Sequence, residues 1–452
     1  LSLVRTCVIA VTLTALSGAA WPLQVSGADV GREALAGSAQ ASSSLAAPGP
    51  FVLSGPDSTS RLRLRFAGQM ILDYTSTEAA TGDDRSGSLV MHARRIRPTM
   101  ELNLLRPKLL LRLHLSTAPK SLEMMDYYLD LTLEKNLRLR YGQYKVPFTV
   151  YRIESFQALT LVDWAIVTKG FGAERQMGLS IHNGYEKPPR LGYALGVFTG
   201  VNARAAHAVY LPKLYDEEIP NPSDLSGSAP YAEFHPEIVL NLSYNRNGID
   251  VRSGSDGCRS GLRYSAALSA AWDLDPEPHQ DLKLRLAPEL LLKCRGASIR
   301  GIGYAGFVEL AGCDETELGM TGALVESAYR FNGRYEVAAR FATVDFTDKL
   351  LDDASSYLAS GDSSTDGLHS SSERPSGAAL SAGANGPAEA LAAALTAGGR
   401  VRREDEYRIG FNVYLAGHSL KWQSDFGVLR HHHRQSRALT DFAVRSQFQI
   451  VY

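Results

Sequence analysis

Arg61, Arg63 and Arg65 alternate with Leu62, Leu64 and Phe66, and the same two-residue spacing of cations returns in Arg95 and Arg97 and in Arg138 and Arg140. A guanidinium stays charged at every ordinary pH and presents a planar fork of donors that grips a carboxylate or phosphate with two parallel bonds. At a spacing of two, such groups share one face of an extended strand. Carried through the chain, the alternation puts Arg61, Arg63, Arg65, Arg95, Arg97, Lys108, Arg112, Arg138, Arg140, Arg263, Lys283, Arg285, Arg340, Arg408, Lys421 and Arg445 on that face. Asp73, Glu101, Asp126, Asp130, Asp281, Glu289, Glu336 and Asp425 join them, roughly half as many by the same alternation. Where such a face lines water between low-dielectric walls, the surplus of positive charge concentrates anions and excludes cations. Two other readings stand beside this one. The arginines pair with the wall carboxylates as stiffening ties, or those at 61, 63, 65, 95 and 97 form a plain counter-ion lining at one mouth rather than a ladder that hands an oxyanion along.

The apolar partners of these cations say what must hold them. Leu62, Leu64, Phe66 and Met70 point away from the arginines, and the same period of two recurs in residues 108–115, 137–141, 281–286, 335–341, 407–413 and 420–426. In residues 441–452, Phe442, Val444, Phe448, Ile450 and Tyr452 share one face, and Arg445, Gln447 and Gln449 the other. Lipid outside and water inside produce this pattern in a transmembrane β-strand. A terminal strand ending on an aromatic resembles the closing strand of a bacterial outer-membrane barrel. Beyond the first residues no stretch approaches the roughly 18 consecutive apolar residues of a membrane helix, so a membrane would be crossed as a closed barrel.

Tight turns are expected at 106–107, 134–136, 186–189, 294–296, 332–333 and 416–418. Longer external loops are expected near 75–87, 148–172, 200–234, 310–320, 345–404 and 430–438. Placing a strand wherever the alternation allows gives about sixteen, an even count as in bacterial barrels. Residues 88–105, 297–309 and 321–330 alternate least clearly. Tyr141, Tyr329, Tyr335 and Tyr452 fall at strand ends, where an aromatic girdle belongs. The expected fold class is all-β: a porin-like transmembrane antiparallel β-barrel over residues 59–452.

Arg5, the apolar run at 7–16 and the small residues after it read as a signal peptide over 1–28, cut after Ala19, Ala20 or Ala28. Export to the outer membrane of a Gram-negative bacterium follows. Leu1 in place of Met points to an unusual start codon or a truncated first exon. Residues 29–58, rich in Ala, Ser, Gly and Pro, read as a flexible periplasmic leader, and 353–400 as a low-complexity external loop with a short helix at 388–395. The 47 Lys and Arg against 48 Asp and Glu leave a net charge of −1, which argues against nucleic acid. Cys258, Cys294 and Cys313 form no C-x-x-C spacing and no disulfide scaffold. The G-x-G-x-x-G at 301–306 lies in strand-like sequence with no helix after it, so it does not read as a nucleotide site. The tract at 430–434 reads as a solvated loop tip rather than a metal site. No catalytic constellation is legible, and no enzyme activity, cofactor or metal is expected.

Several segments, in order, resemble the phosphate-selective porin O and P family: residues 92–97, 139–148, 175–178, 193–200, 335–341 and 417–421. They cover most of residues 60–452. The resemblance implies a sixteen-stranded outer-membrane porin, usually a homotrimer, with the third external loop folded into the pore and a preference for anions, phosphate or pyrophosphate among them. The long insert at 353–400 departs from that pattern. The loop at 148–172, with Arg152 and Lys169 inside it and Arg175 just after, reads as a partly packed constriction, an ordinary external loop being the alternative. The expected function is passive diffusion of small anions, with outer-membrane lipid around the barrel. External binding or adhesion through the long loops is a second reading, and an outer-membrane hydrolase a third.

Overall fold

The computed structural model describes residues 51–55, 59–79, 85–105, 108–118, 121–184, 189–199, 236–257, 260–276, 282–310, 316–360, 401–434 and 437–452. The expected signal peptide, most of the expected leader, the 388–395 helix and all of the 200–234 loop lie outside them.

Seventeen strands are described. They are β1 (Phe51–Ser54), β2 (Arg61–Glu78), β3 (Arg85–Leu104), β4 (Leu109–Ala118), β5 (Ser121–Glu134), β6 (Leu137–Lys145), β7 (Arg175–His182), β8 (Leu191–Phe198) and β9 (Glu237–Arg246). After these come β10 (Arg263–Asp273), β11 (Leu284–Cys294), β12 (Ala297–Glu309), β13 (Thr316–Phe331), β14 (Tyr335–Phe346), β15 (Val401–Ala416), β16 (Leu420–His433) and β17 (Leu439–Val451). From β2 to β17 each pairs antiparallel with the next, and β17 returns to β2 through Arg445↔Asp73, Phe448↔Met70 and Ile450↔Gly68. The sixteen-stranded antiparallel barrel expected from the alternation is thus closed, which leaves no edge in lipid.

Part of the expected leader is sheet instead. β1 pairs with β2 through Phe51↔Leu64 and Ser54↔Arg61, continuing the line of β17 past Tyr452, whose N–H and C=O both bond Phe66.

Short turns gather at one end of the barrel. Arg295-Gly296 and Asn332-Gly333 take positive φ at both residues, as two-residue hairpins of this twist require. One connection at this turn end departs from expectation, since residues 247–262 form a long segment between β9 and β10. At the opposite, loop end several strands run further than expected. β2 reaches Glu78, β13 begins at Thr316, and β16 reaches His433. His431 is therefore a buried strand residue bonded to Glu404 at 2.9 Å and Asp441 at 3.3 Å, not part of a solvated loop tip.

The outer surface is apolar. Leu64, Phe66, Met70, Leu195, Ile409, Phe448 and Ile450 are exposed on it. Near the turn end the rings of Tyr329, Phe331, Tyr335, Phe411 and Trp422 follow one another at centroid spacings of 6.4, 5.7, 6.2 and 6.2 Å. The largest cluster of buried apolar side chains lies inside the barrel rather than between layers.

Candidate permeation pathway

Residues 146–174, between β6 and β7, enter the barrel. Thr149, at φ 59°, turns the chain and caps α1 (Val150–Ile153) by accepting the Arg152 N–H at 3.3 Å. Glu289 on β11 accepts the N–H groups of Val150 and Tyr151 at 2.9 and 3.2 Å, a carboxylate where the first turn exposes its donors. A 3₁₀ turn (Phe156–Ala158) and α2 (Val167–Phe171) follow.

The strands across the lumen serve the rest of this backbone. Asp425 accepts the Val162 N–H at 2.9 Å and Glu406 that of Ile166 at 3.0 Å. Arg340 donates to the Tyr151 hydroxyl at 3.0 Å and the Asp163 carbonyl at 2.8 Å. Lys421 and Gln423 donate to the Leu159 carbonyl at 3.1 and 2.9 Å. Buried polar backbone needs partners, and the inward charges of β11–β16 supply them.

Apolar side chains fill what remains. Phe148, Tyr151, Val167 and Phe171 pack on inward Leu282, Ile302, Tyr304, Met320 and Val344, each large side chain contributing roughly 1.5–3 kcal/mol. Phe171 stacks on Tyr304 at 5.1 Å, and a Cβ on Gly322 would lie 2.7 Å from its ring. This half of the interior is a dry core, where the sequence led us to expect water.

A second segment, 247–262, enters from the turn end. Lys293 donates to the carbonyls of Asp250 and Ser255 at 2.7 and 2.9 Å and to that of Ser253. The Gly254 N–H reaches Glu154 at 2.7 Å, and Arg300 holds the same carboxylate at 2.7 Å. The two segments thus meet at Glu154, whose carboxyl burial pushes up in spite of Arg300.

The wall of β2 to β6 carries a different population. Register places Arg63 opposite Glu101, Ala67 opposite Arg97 and Gln69 opposite Arg95. Between Gln69 and Met70 the pairing slips, leaving Arg94 as an extra residue on β3. Such a bulge re-aims side chains, and here both Arg94 and Arg95 reach the Asp163 carboxylate of the inserted loop. Burial raises that carboxyl, but Arg94, Arg95 and Arg445 outweigh it and hold it well below the usual range.

Ring faces of the loop meet the same cations. Arg97 lies 4.7 Å from the Phe156 centroid, and Arg95 and Arg152 lie 5.5 and 4.3 Å from that of Trp164. Arg94 Nη1, Arg97 Nε, Arg152 Nε and Nη1, and Trp164 Nε1 are buried with no hydrogen-bond acceptor among the described residues. Solvent still reaches this wall: the side chains of Arg63, Arg65, Arg112 and Arg138 keep 35, 38, 22 and 34 % of their exposure.

The residues singled out in the sequence therefore divide. Arg61, Arg63, Arg65, Arg95, Arg97, Arg112 and Arg138 lie on the half-open wall, with Glu101 tied to Arg63, Arg65 and Arg112. Arg140, buried, is bound to Asp130 at 2.9 and 2.6 Å. Arg340 pairs with Glu326 and Glu406, Arg445 with Asp425, and Lys421 with the Leu159 carbonyl of the loop, all buried. Arg140, Arg340 and Arg445 are thus surrounded by wall carboxylates rather than by an open lining, and Lys421 by the loop. Arg152 is bound to Glu174 and Arg175 to Asp126; Lys169 is half-buried, and burial lowers its ammonium despite Asp163. Lys108 sits exposed in a turn, and Asp281 lies outside the described residues. Strict alternation missed Arg94; the doublet Arg94-Arg95, a cation at a position due for lipid, is the signal that marks it.

No family model and no curated protein matches the chain. Among solved structures it is similar to the crystal structure of the outer membrane channel DcaP of Acinetobacter baumannii, at 11 % identity over 90 % of this chain and all of that one, TM-score 0.51. The Salmonella typhi OmpF complex with daunomycin aligns at 10 % identity over 88 % of this chain and all of that one, TM-score 0.48. The likeness to DcaP is one of fold: the chain has a porin-like antiparallel β-barrel fold.

Proposed function

We propose that the chain is an outer-membrane channel through which small anions diffuse passively along the wall of β2 to β6. The carrying observation is the one-sidedness of the inward cations. Arg340 and Arg445, facing the inserted loop from β14 and β17, are buried in ion pairs, whereas Arg63, Arg65 and Arg112, though tied to Glu101, keep 35, 38 and 22 % of their side-chain exposure, with the less exposed Arg94, Arg95 and Arg97 on the same wall. A buried donor without an acceptor costs about 1–3 kcal/mol, and an anion in the passage offsets that. Guanidinium forks suit oxyanions, so phosphate or pyrophosphate is the favoured solute within the class, as the resemblance to the O and P porins implies.

The apolar, aromatic-banded outer surface supports a lipid surround, and the signal-peptide reading of 1–28 supports export to the outer membrane. DcaP, described as an outer membrane channel, has the same fold. A homotrimer is the assembly the resemblance implies. Diffusion through such a passage requires neither a catalytic group nor a cofactor. Planar-bilayer recording in a potassium chloride gradient, with anion and cation then replaced in turn, tests the reading. A reversal potential on the chloride side is expected, and one on the potassium side would overturn it.

A further inference from the structure

The Asp163 carboxylate lies among three arginines. It is bonded by Arg94 and lies 3.5 Å from Arg95 Nη2 and 3.9 Å from Arg445 Nη1. Among the described residues neither Arg94 nor Arg95 has another carboxylate within salt-bridge distance. Arg445 belongs to Asp425, which it holds with two bonds of 2.9 Å.

The two carboxylates differ in how they are kept. Asp425 is fully buried and shared by Arg408 and Arg445. Asp163 keeps 26 % of its side-chain exposure, and Arg94 and Arg95 keep 15 and 11 %. Solvent and small ions thus reach the Asp163 carboxylate, where a competing anion can take its place on the arginines, whereas they do not reach Asp425. The Asp163 backbone is anchored by the bond from Arg340 to its carbonyl at 2.8 Å, so the carboxylate can leave the arginines without the loop moving.

We propose that Asp163 is a tethered counter-anion that sets the selectivity of the passage: a permeating anion reaches Arg94 and Arg95 by displacing the chain's own carboxylate. A bare arginine pair among unpartnered donors would hold an oxyanion long after it arrived. Conduction requires sites favourable to enter and weak to leave, and an internal competitor at high effective concentration gives that balance. The inference rests on the anion-channel reading.

Asp163→Asn tests it, because the amide oxygen can still accept the Trp164 N–H that Asp163 Oδ1 takes at 3.0 Å. In a potassium chloride gradient the variant should move the reversal potential further toward chloride. Its conductance should saturate at several-fold lower salt, and inorganic phosphate should block chloride current at several-fold lower concentration. Asp163→Glu should keep parental values. Arg94→Gln, which removes a holder and leaves the carboxylate, should move the reversal potential the other way; it keeps the inference testable should the neutral variant fail to assemble. An assembled Asp163→Asn channel with parental reversal potential and saturation, or an unmoved Arg94→Gln channel, overturns the inference while the parent remains anion-selective. A cation-selective parent overturns instead the reading on which it rests.

Discussion

The guanidinium of Arg300 on β12 lies 2.7 Å from the carboxylate of Glu154, which also accepts the Gly254 N–H. This one acid joins the wall, the loop inserted from one end and the segment inserted from the other. Removing one partner of a buried pair costs up to roughly 3–5 kcal/mol, less here because Arg300 keeps Glu289 at 3.3 Å. Glu154→Ala should therefore loosen both segments, raising single-channel conductance and exposing 146–174 to protease while the barrel still migrates as folded on unheated gels. Parental conductance with parental protease resistance would mean that Glu154 fastens neither.

Replacing Arg95, Arg97 and Arg112 together with Gln should shift the reversal potential toward cations, since these cations stand on the wall that solvent reaches. Arg140→Gln is the matched comparison. Its guanidinium is buried on Asp130, so the change should lower thermal stability and leave the reversal potential where it was. Equal shifts from both variants would contradict the division of the arginines.

The ionic ties that Asp163 and Glu174 make should survive moderate acid, unlike that of Glu154, whose carboxyl burial pushes up. Burial raises the carboxyls of Asp163 and Glu174, yet Arg94 and Arg95 for the first and Arg152 for the second bring both below the usual range. An acid depressed in the folded state contributes stability that is complete above its unfolded value, about 4, and is lost as pH falls through the folded one. The stability these two ties contribute, read as the difference between the parent and an Asp163→Asn, Glu174→Gln variant, should thus stay flat from about pH 8 to about pH 5, with loss only well below. A step in that difference near neutrality would place control elsewhere.

Ile409, exposed at the middle of β15, tests the lipid face. Ile409→Arg should cost roughly 2–4 kcal/mol if that position faces the bilayer midplane, seen as lost folded species in lipid. Full assembly of the variant would place the lipid boundary elsewhere on the barrel.

The strands were legible where one face is wet and the other greasy, as in β2 with its arginines and leucines. β12 alternates poorly because both faces are apolar: Ile299 is exposed outside while Ile302, Tyr304 and Val308 are buried inside under the loop. The same cause hid the dry half of the lumen, since a side chain that packs on an inserted loop and one that packs on lipid look alike in sequence. Arg94 was missed for a different reason. A bulge shifts the period by one residue, and a count of two cannot register it. His431 was misplaced because a histidine between Glu404 and Asp441 gains its partners only from neighbouring strands.

The insertion of residues 146–174 also constrains the order of events in assembly. Arg340, Glu406 and Asp425 meet in the loop the backbone groups that complete their hydrogen bonding, so sealing β17 onto β2 with the loop outside would strand those charges in a narrow cylinder. The seam itself joins segments far apart in the chain, a pairing whose loop-closure cost makes it intrinsically slow. Entry of the loop while the sheet is still an open sheet, followed by closure, is the sequence of steps that avoids the trap. The slowness of the seam then works in the molecule's favour, because it leaves time for the interior to be furnished before the wall is shut.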